Sequence, residues 1–203
     1  MWDGRPRPSK RGAAPPQSSK GYNPVVLSPK ERRASRAIED AMAREKWPLA
    51  RRLIRGRLKQ EPTNHWLLSR LALTYYEQRQ YRKALQYDLK ALQHGPYCPL
   101  AIWGYAGTLD MLEQPTKALK LYRWLISWGE DELAYGPCGE GIRSARSLIA
   151  DCYCRIASIQ DKIGQRKRAI ASYQEHLSRR KNGTASIYAL KDVRRKLSAL
   201  TVG

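Results

Sequence analysis

Three histidines, four cysteines and 38 lysines and arginines are the residues of this 203-residue chain that could do chemistry. Catalysis needs a nucleophile, a base and an orienting group that converge in a cleft. His65, His94 and His176 fall in separate predicted helices or turns, with no partner motif beside any of them. No phosphate-binding loop, no Gly-x-Gly-x-x-Gly and no His-Glu-x-x-His occurs. The expectation is a protein that is not an enzyme, with histidines in surface or packing roles. Cys152 and Cys154 are two apart, so on a helix their side chains diverge by about 200° and cannot grip one ion from one face. They read as small buried hydrophobes, and neither a metal nor another cofactor is expected. Cys138, in a Gly-rich stretch, is the thiol most open to oxidation.

Binding chemistry is better represented. Against the 38 cations stand 18 Asp and Glu, a formal charge of +20, and such an excess must be offset by burial or by anionic partners. Arg51, Arg55 and Lys59 form an i, i+4, i+8 stripe on one predicted helix, with Arg52 beside it. Lys167, Arg168, Arg179, Arg180, Lys181, Arg194, Arg195 and Lys196 make a second basic end. Non-specific nucleic-acid contact through these strips is one expectation. No RNA-reading motif accompanies them. At 42% hydrophobic and 28% charged the balance is globular. No run of 18 apolar residues occurs, and the basic N-terminus has no apolar segment, so neither a membrane span nor a secretory signal is expected. Four cysteines are too few for a disulfide scaffold, and a cytoplasmic protein with reduced thiols is the simplest reading.

The elements that must position these groups follow from punctuation and period. Residues 1–28 hold five cations against Asp3 and five prolines, which predicts a disordered basic tail. Ser28-Pro-Lys-Glu31 is a capping box that opens a helix and a folded domain over 29–203. Ala50, Ala84 and Ala118 are each 34 residues apart in matching contexts, Pro62 and Pro96 keep the same phase, and Ala169 lies 51 residues beyond Ala118. Leu68, Leu71, Ala72 and Tyr75, then Ala84, Leu85, Asp88, Ala91 and Leu92, recur at three and four residues. Each unit is therefore two short helices, with a small residue at the 84-type position where they cross closely.

In this pattern the chain resembles the tetratricopeptide repeat family, whose 34-residue helix-turn-helix carries preferences at positions 4, 7, 8, 11, 20, 24, 27 and 32. With 65 as position 1, Leu68, Leu71, Ala72, Tyr75, Ala84, Ala91 and Pro96 match, and Asp88 departs at 24. The repeats fall at about 31–64, 65–98, 99–132 and 150–183, with an insertion at 133–149. Pentatricopeptide RNA-reading repeats are of nearly the same length; the alanine and proline phase and the aromatic at 24 in two units favour the tetratricopeptide reading. The resemblance implies an all-α, right-handed superhelical solenoid of antiparallel helix pairs that serves as a protein-interaction scaffold or adaptor.

In this family, positions 2, 5, 9 and 12 of each first helix line a concave groove. They are Trp66, Ser69, Leu73 and Tyr76 in unit two, and Leu100, Trp103, Gly107 and Asp110 in unit three. Position 6 carries Arg36, Arg70 and Arg155, a guanidinium ladder suited to carboxylates. A peptide or protein partner with acidic residues is the implied ligand, unless the tail or the 133–149 insertion covers the groove. The carboxylate clamp of the chaperone-binding subgroup is absent: Ser35, Glu39, Arg70, Leu100 and Gly104 stand where it needs Lys, Asn, Asn, Lys and Arg. A loop is predicted near 129–141 and a long first helix of unit four from near Gly141. Thr184 should open a capping helix over about 184–200, with Ile187, Leu190, Val193 and Leu197 on its buried face.

Overall fold

Four turns share one backbone conformation. Glu45, Arg79, Glu113 and Gly164 have positive φ values of 54°, 57°, 58° and 75°, and their spacing of 34, 34 and 51 residues repeats that of the four alanines. At Glu45, Arg79 and Gly164 two backbone bonds close the turn, as from Arg79 N–H to the Tyr76 carbonyl (2.8 Å) and from Gln80 N–H to the Tyr75 carbonyl (2.9 Å). These bonds satisfy the last carbonyls of the first helix. At these three turns, each within one unit, so short a connection sends the next helix back antiparallel.

The computed structural model describes residues 28–202, so the expected tail lies, except for Ser28, outside the described residues. Among the described residues there are nine helices and no strand. They fall into two compact units, one ending at Leu112 and one beginning at Glu113.

The first unit holds α1 (Pro29–Ala43), α2 (Trp47–Leu58), α3 (His65–Glu77), α4 (Tyr81–His94) and α5 (Pro99–Met111). Its opening cap is reciprocal. The Ser28 hydroxyl accepts the Glu31 N–H at 3.2 Å, and the Glu31 carboxylate accepts the Ser28 N–H at 2.7 Å. Hydrogen bonding from the Ser28 side chain and then from its N–H holds the Glu31 carboxyl below its usual range. Ala50, Ile54 and Ala84 are fully buried, in one core with Ile38, Leu67, Leu71 and Tyr75. Helix α5 lies against both α3 and α4. There the departure at Asp88 is explained: Thr108 Oγ1 of α5 donates to Asp88 Oδ2 at 2.6 Å. Gly104 lies against the same carboxyl, where a Cβ would meet Asp88 Oδ1 at 3.6 Å, an ordinary contact. Burial pushes the Asp88 carboxyl up to about 7, against the lowering effect of the Thr108 bond.

The second unit holds α6 (Pro115–Tyr135), α7 (Ile142–Lys162), α8 (Arg166–Arg179) and α9 (Leu190–Val202). The loop expected from 129 is instead helix as far as Tyr135, broken at Gly129 by φ 77° and ψ 174°, a conformation essentially confined to glycine. One residue bends the helix where a whole loop was expected. Ala169 and Tyr173 are fully buried, and Tyr173 shares a core with Cys154, Ala157 and Val193. Burial raises the Cys154 thiol to about 11 and the Tyr173 hydroxyl to about 12, so both stay neutral packing groups.

The last helix begins at Leu190, six residues after the predicted Thr184 cap. Residues 184–189 form an irregular strap instead, and Ile187 is 66% exposed rather than on the buried face. The cause is Asp151 of α7. Its carboxylate accepts the Ser186 hydroxyl at 2.5 Å and the Ile187 N–H at 3.5 Å, which fixes the backbone of 186–187 outside a helix. Arg180 further donates to the Tyr188 carbonyl at 2.8 Å.

Candidate functional site

The groove residues of the first unit lie along α3 and α5, from Trp66 and Leu100 in their first turns to Tyr76 and Asp110 in their last. Trp66, Leu73 and Tyr76 are half-buried and pack partly against the unit's core. Leu100 and Trp103 are half-buried on α5. Large side chains left in this state keep one surface for contact with something else. Ser69 lies between them in phase, and its hydroxyl is buried without a hydrogen-bond partner.

Two of the expected floor residues are not open. Gly107 and Asp110 are both buried, so the accessible part of the α5 face is its first half, around Leu100 and Trp103. The helix is apolar almost all round, with Ala101, Ile102, Tyr105, Ala106 and Leu109 buried as well, and an assignment by position alone cannot separate floor from core in such a helix.

The arginine ladder is largely engaged within the protein. Arg70 Nε is 2.6 Å from Glu39 Oε1 of α1, and its guanidinium lies over the Trp66 ring at 5.3 Å. A ligand carboxylate would have to displace Glu39. Arg155, in the second unit, lies over the Tyr188 ring at 5.7 Å, so the chain's own strap stands against it. Tyr188 also meets His176 edge-on at 6.3 Å. Burial raises the carboxyl of Asp151, at groove position 2 of this repeat, despite the Ser186 and Ile187 bonds. Arg36 is exposed on α1.

The α2 strip is half structural. Arg51 donates to Gln78 Oε1 at 2.5 Å and to the Thr74 carbonyl at 3.4 Å, and it lies over the Tyr75 ring at 5.0 Å. Arg55 donates to the Tyr75 hydroxyl at 2.5 Å. Both therefore fasten α2 to α3. Arg52 and Lys59 are exposed. Arg57, the large residue at position 27 of the first repeat, fits because it bonds Glu61 and Ser35, at 2.9 and 3.0 Å.

The histidines differ in setting. A hydrogen bond with Cys98 raises His65 above its usual value, against the lowering effect of burial. His94 is exposed. His176 is fully buried, with Nδ1 2.7 Å from the Ala150 carbonyl. Of the thiols, Cys98, Cys152 and Cys154 are buried and Cys138 is exposed. No helix among the described residues is long and apolar enough to cross a membrane.

No family model and no curated protein matches the sequence. Solved structures do. MamA from Desulfovibrio magneticus RS-1, residues 41 to the end, superposes with a TM-score of 0.62 at 14% identity, over 87% of this chain and 86% of that one. Another crystal structure of MamA gives 0.58 at 16% identity, over 83% and 79%. A tetratricopeptide protein of Thermus thermophilus aligns over 85% and 99% at 14% identity, with a TM-score of only 0.48. The chain has an all-α, tetratricopeptide-like fold of helix pairs. At these identities the likeness extends to the fold alone.

Proposed function

We propose that the protein is a non-enzymatic scaffold or adaptor, which binds a peptide or protein segment along the exposed sides of α3 and α5. The observation that carries this reading is the half-buried set Trp66, Leu73, Tyr76, Leu100 and Trp103 on two neighbouring helices of one unit. Rigid aromatic side chains of this kind supply most of the energy at protein interfaces. The preferred segment is extended and apolar or aromatic. Acidic residues in it are secondary, because Arg70 is already neutralised by Glu39. The cytoplasm is the compartment this reading assumes, with the four thiols kept reduced.

The test is selection of peptides from a random display library against the full chain, followed by titration of a selected peptide against Trp66→Ala and Trp103→Ala. Each substitution should weaken binding by about 2 kcal/mol, roughly thirtyfold. Peptides that bind the two variants as tightly as the parent would remove α3 and α5 as the site. Nucleic-acid association is the second reading, favoured by one observation in the second unit.

A further inference from the structure

We infer that the α8–α9 end of the second unit is a docking surface for the phosphate backbone of double-stranded nucleic acid. Within that unit the charge is segregated. Residues 166–202 hold ten Lys and Arg against only Glu175 and Asp192, whereas residues 113–161 hold six cations against seven carboxylates. Both carboxylates of the basic part are already used, Glu175 by Arg179 at 2.8 Å and Asp192 by Arg195 at 3.0 Å. Arg166 and Arg180 donate to the carbonyls of Leu200 and Tyr188. Lys167, Arg168, Lys181, Lys191, Arg194 and Lys196 are all exposed and make no ion pair among the described residues. The Arg166–Leu200 bond sets the N-terminal end of α8 beside the C-terminal end of α9. The exposed cations thus run from that end, along the outer side of α9, to Lys181 at the far end of α8.

Folding does not account for this arrangement. The first turn of α8 carries Arg166, Lys167 and Arg168 and no acid, the charge that the helix dipole disfavours at an N-terminus. An external polyanion would reverse that cost, since the same helix end attracts phosphate.

The surroundings select the kind of polyanion. Insertion into a lipid surface needs an apolar face next to the cations. The apolar residues of α9, Val193, Leu197 and Leu200, are instead packed on Tyr173 and Cys154. The exposed Ile187 lies in the strap before the helix, and the exposed Val202 at the helix's far end. Single strands are held by stacking on exposed aromatic rings, and the two aromatics of this stretch, Tyr173 and Tyr188, are buried and half-buried. A duplex, gripped by its phosphates without sequence reading, fits point cations alone.

The experiment is fluorescence anisotropy of a mixed-sequence 20-base-pair DNA duplex with the full chain, between 50 and 300 mM NaCl. The variant Lys167→Gln, Arg168→Gln, Lys191→Gln, Arg194→Gln changes exposed side chains only. At about 0.9 per phosphate contact it should take roughly 3 to 4 from the slope of log affinity against log salt. It should also bind at least tenfold more weakly at 100 mM. Lys191→Gln with Arg194→Gln, confined to α9, should take about 2 from the slope and covers the case in which the fourfold variant misfolds. Arg52→Gln with Lys59→Gln, on α2, should change the affinity less than threefold. Parent-like slopes in both α8–α9 variants would overturn the assignment. So would binding to vesicles of 30% phosphatidylserine without binding to the duplex, which would assign the surface to lipid.

Discussion

The buried carboxyl of Asp88 should make the first unit lose stability as pH rises, and replacing it with Asn should abolish that dependence. In the unfolded chain Asp88 titrates near the ordinary 3.8, and in the folded unit near 7. A raised folded value means that the folded state binds the proton more tightly. Its contribution is therefore fully present below about 4, falls as the unfolded chain ionises, and is gone once pH passes about 7. Three units at about 1.4 kcal/mol each amount to roughly 4 kcal/mol. Asp88→Asn cannot ionise, but burying its amide N–H group costs roughly 2 kcal/mol at every pH. The variant should then be about 1 kcal/mol less stable than the parent at pH 4.5 and about 2 kcal/mol more stable at pH 8, the curves crossing between about pH 5 and 6. Urea melts followed by tryptophan emission and circular dichroism across that range measure the difference directly. A gap between parent and variant that stays constant from pH 4.5 to 8 would refute the reasoning.

Four further outcomes follow from the same geometry. Ala84→Arg, at a fully buried helix crossing, should cost several kcal/mol, roughly 3 or more, by overpacking and by burying a charge; a melt like the parent's would undo the repeat register. Arg79→Gly relieves a left-handed backbone at an exposed turn and should raise stability by about 0.5 to 1 kcal/mol in urea melts. Gly129→Ala should cost about 1 to 3 kcal/mol, because φ 77° with ψ 174° is closed to a Cβ, although nothing lies within 4 Å to clash with it. Ser186→Ala breaks the bond that ties the strap to Asp151, and limited proteolysis should then cut within residues 184–189 several times faster than in the parent.

The repeat was legible because close helix packing tolerates only a small residue. Ala50, Ala84, Ala118 and Ala169 are all fully buried, and their spacing alone fixed the phase. The turns were not legible, since three of the four left-handed positions carry Glu45, Arg79 and Glu113 in place of the expected glycine. At Glu45 and Arg79 the paired backbone bonds outweigh the local preference. Polar residues were read least well. A stripe such as Arg51, Arg55, Lys59 says which side chains share a face, but not that Gln78 and Tyr75 of the next helix wait opposite two of them. The same holds at the strap. Thr184 has the chemistry of a cap, and only the position of Asp151, 35 residues before Ser186, shows why the helix starts later. Asp88 looked like a flaw in the repeat until Gly104 and Thr108 appeared beside it, and the pair could have been found in sequence as a small and a hydroxylated residue sharing one face of α5.

The central claim is that α3 and α5 together hold a protein segment. The most direct measurement is the affinity of a library-selected peptide for the full chain and for the Trp66→Ala, Trp103→Ala double variant, with tryptophan emission as the readout in the parent and peptide anisotropy in both. The account predicts a blue shift in the parent on binding and a loss of at least about a hundredfold in affinity in the double variant, from two desolvated anchors of roughly 2 kcal/mol each acting without full additivity. A double variant that melts like the parent and binds the peptide equally well would contradict it.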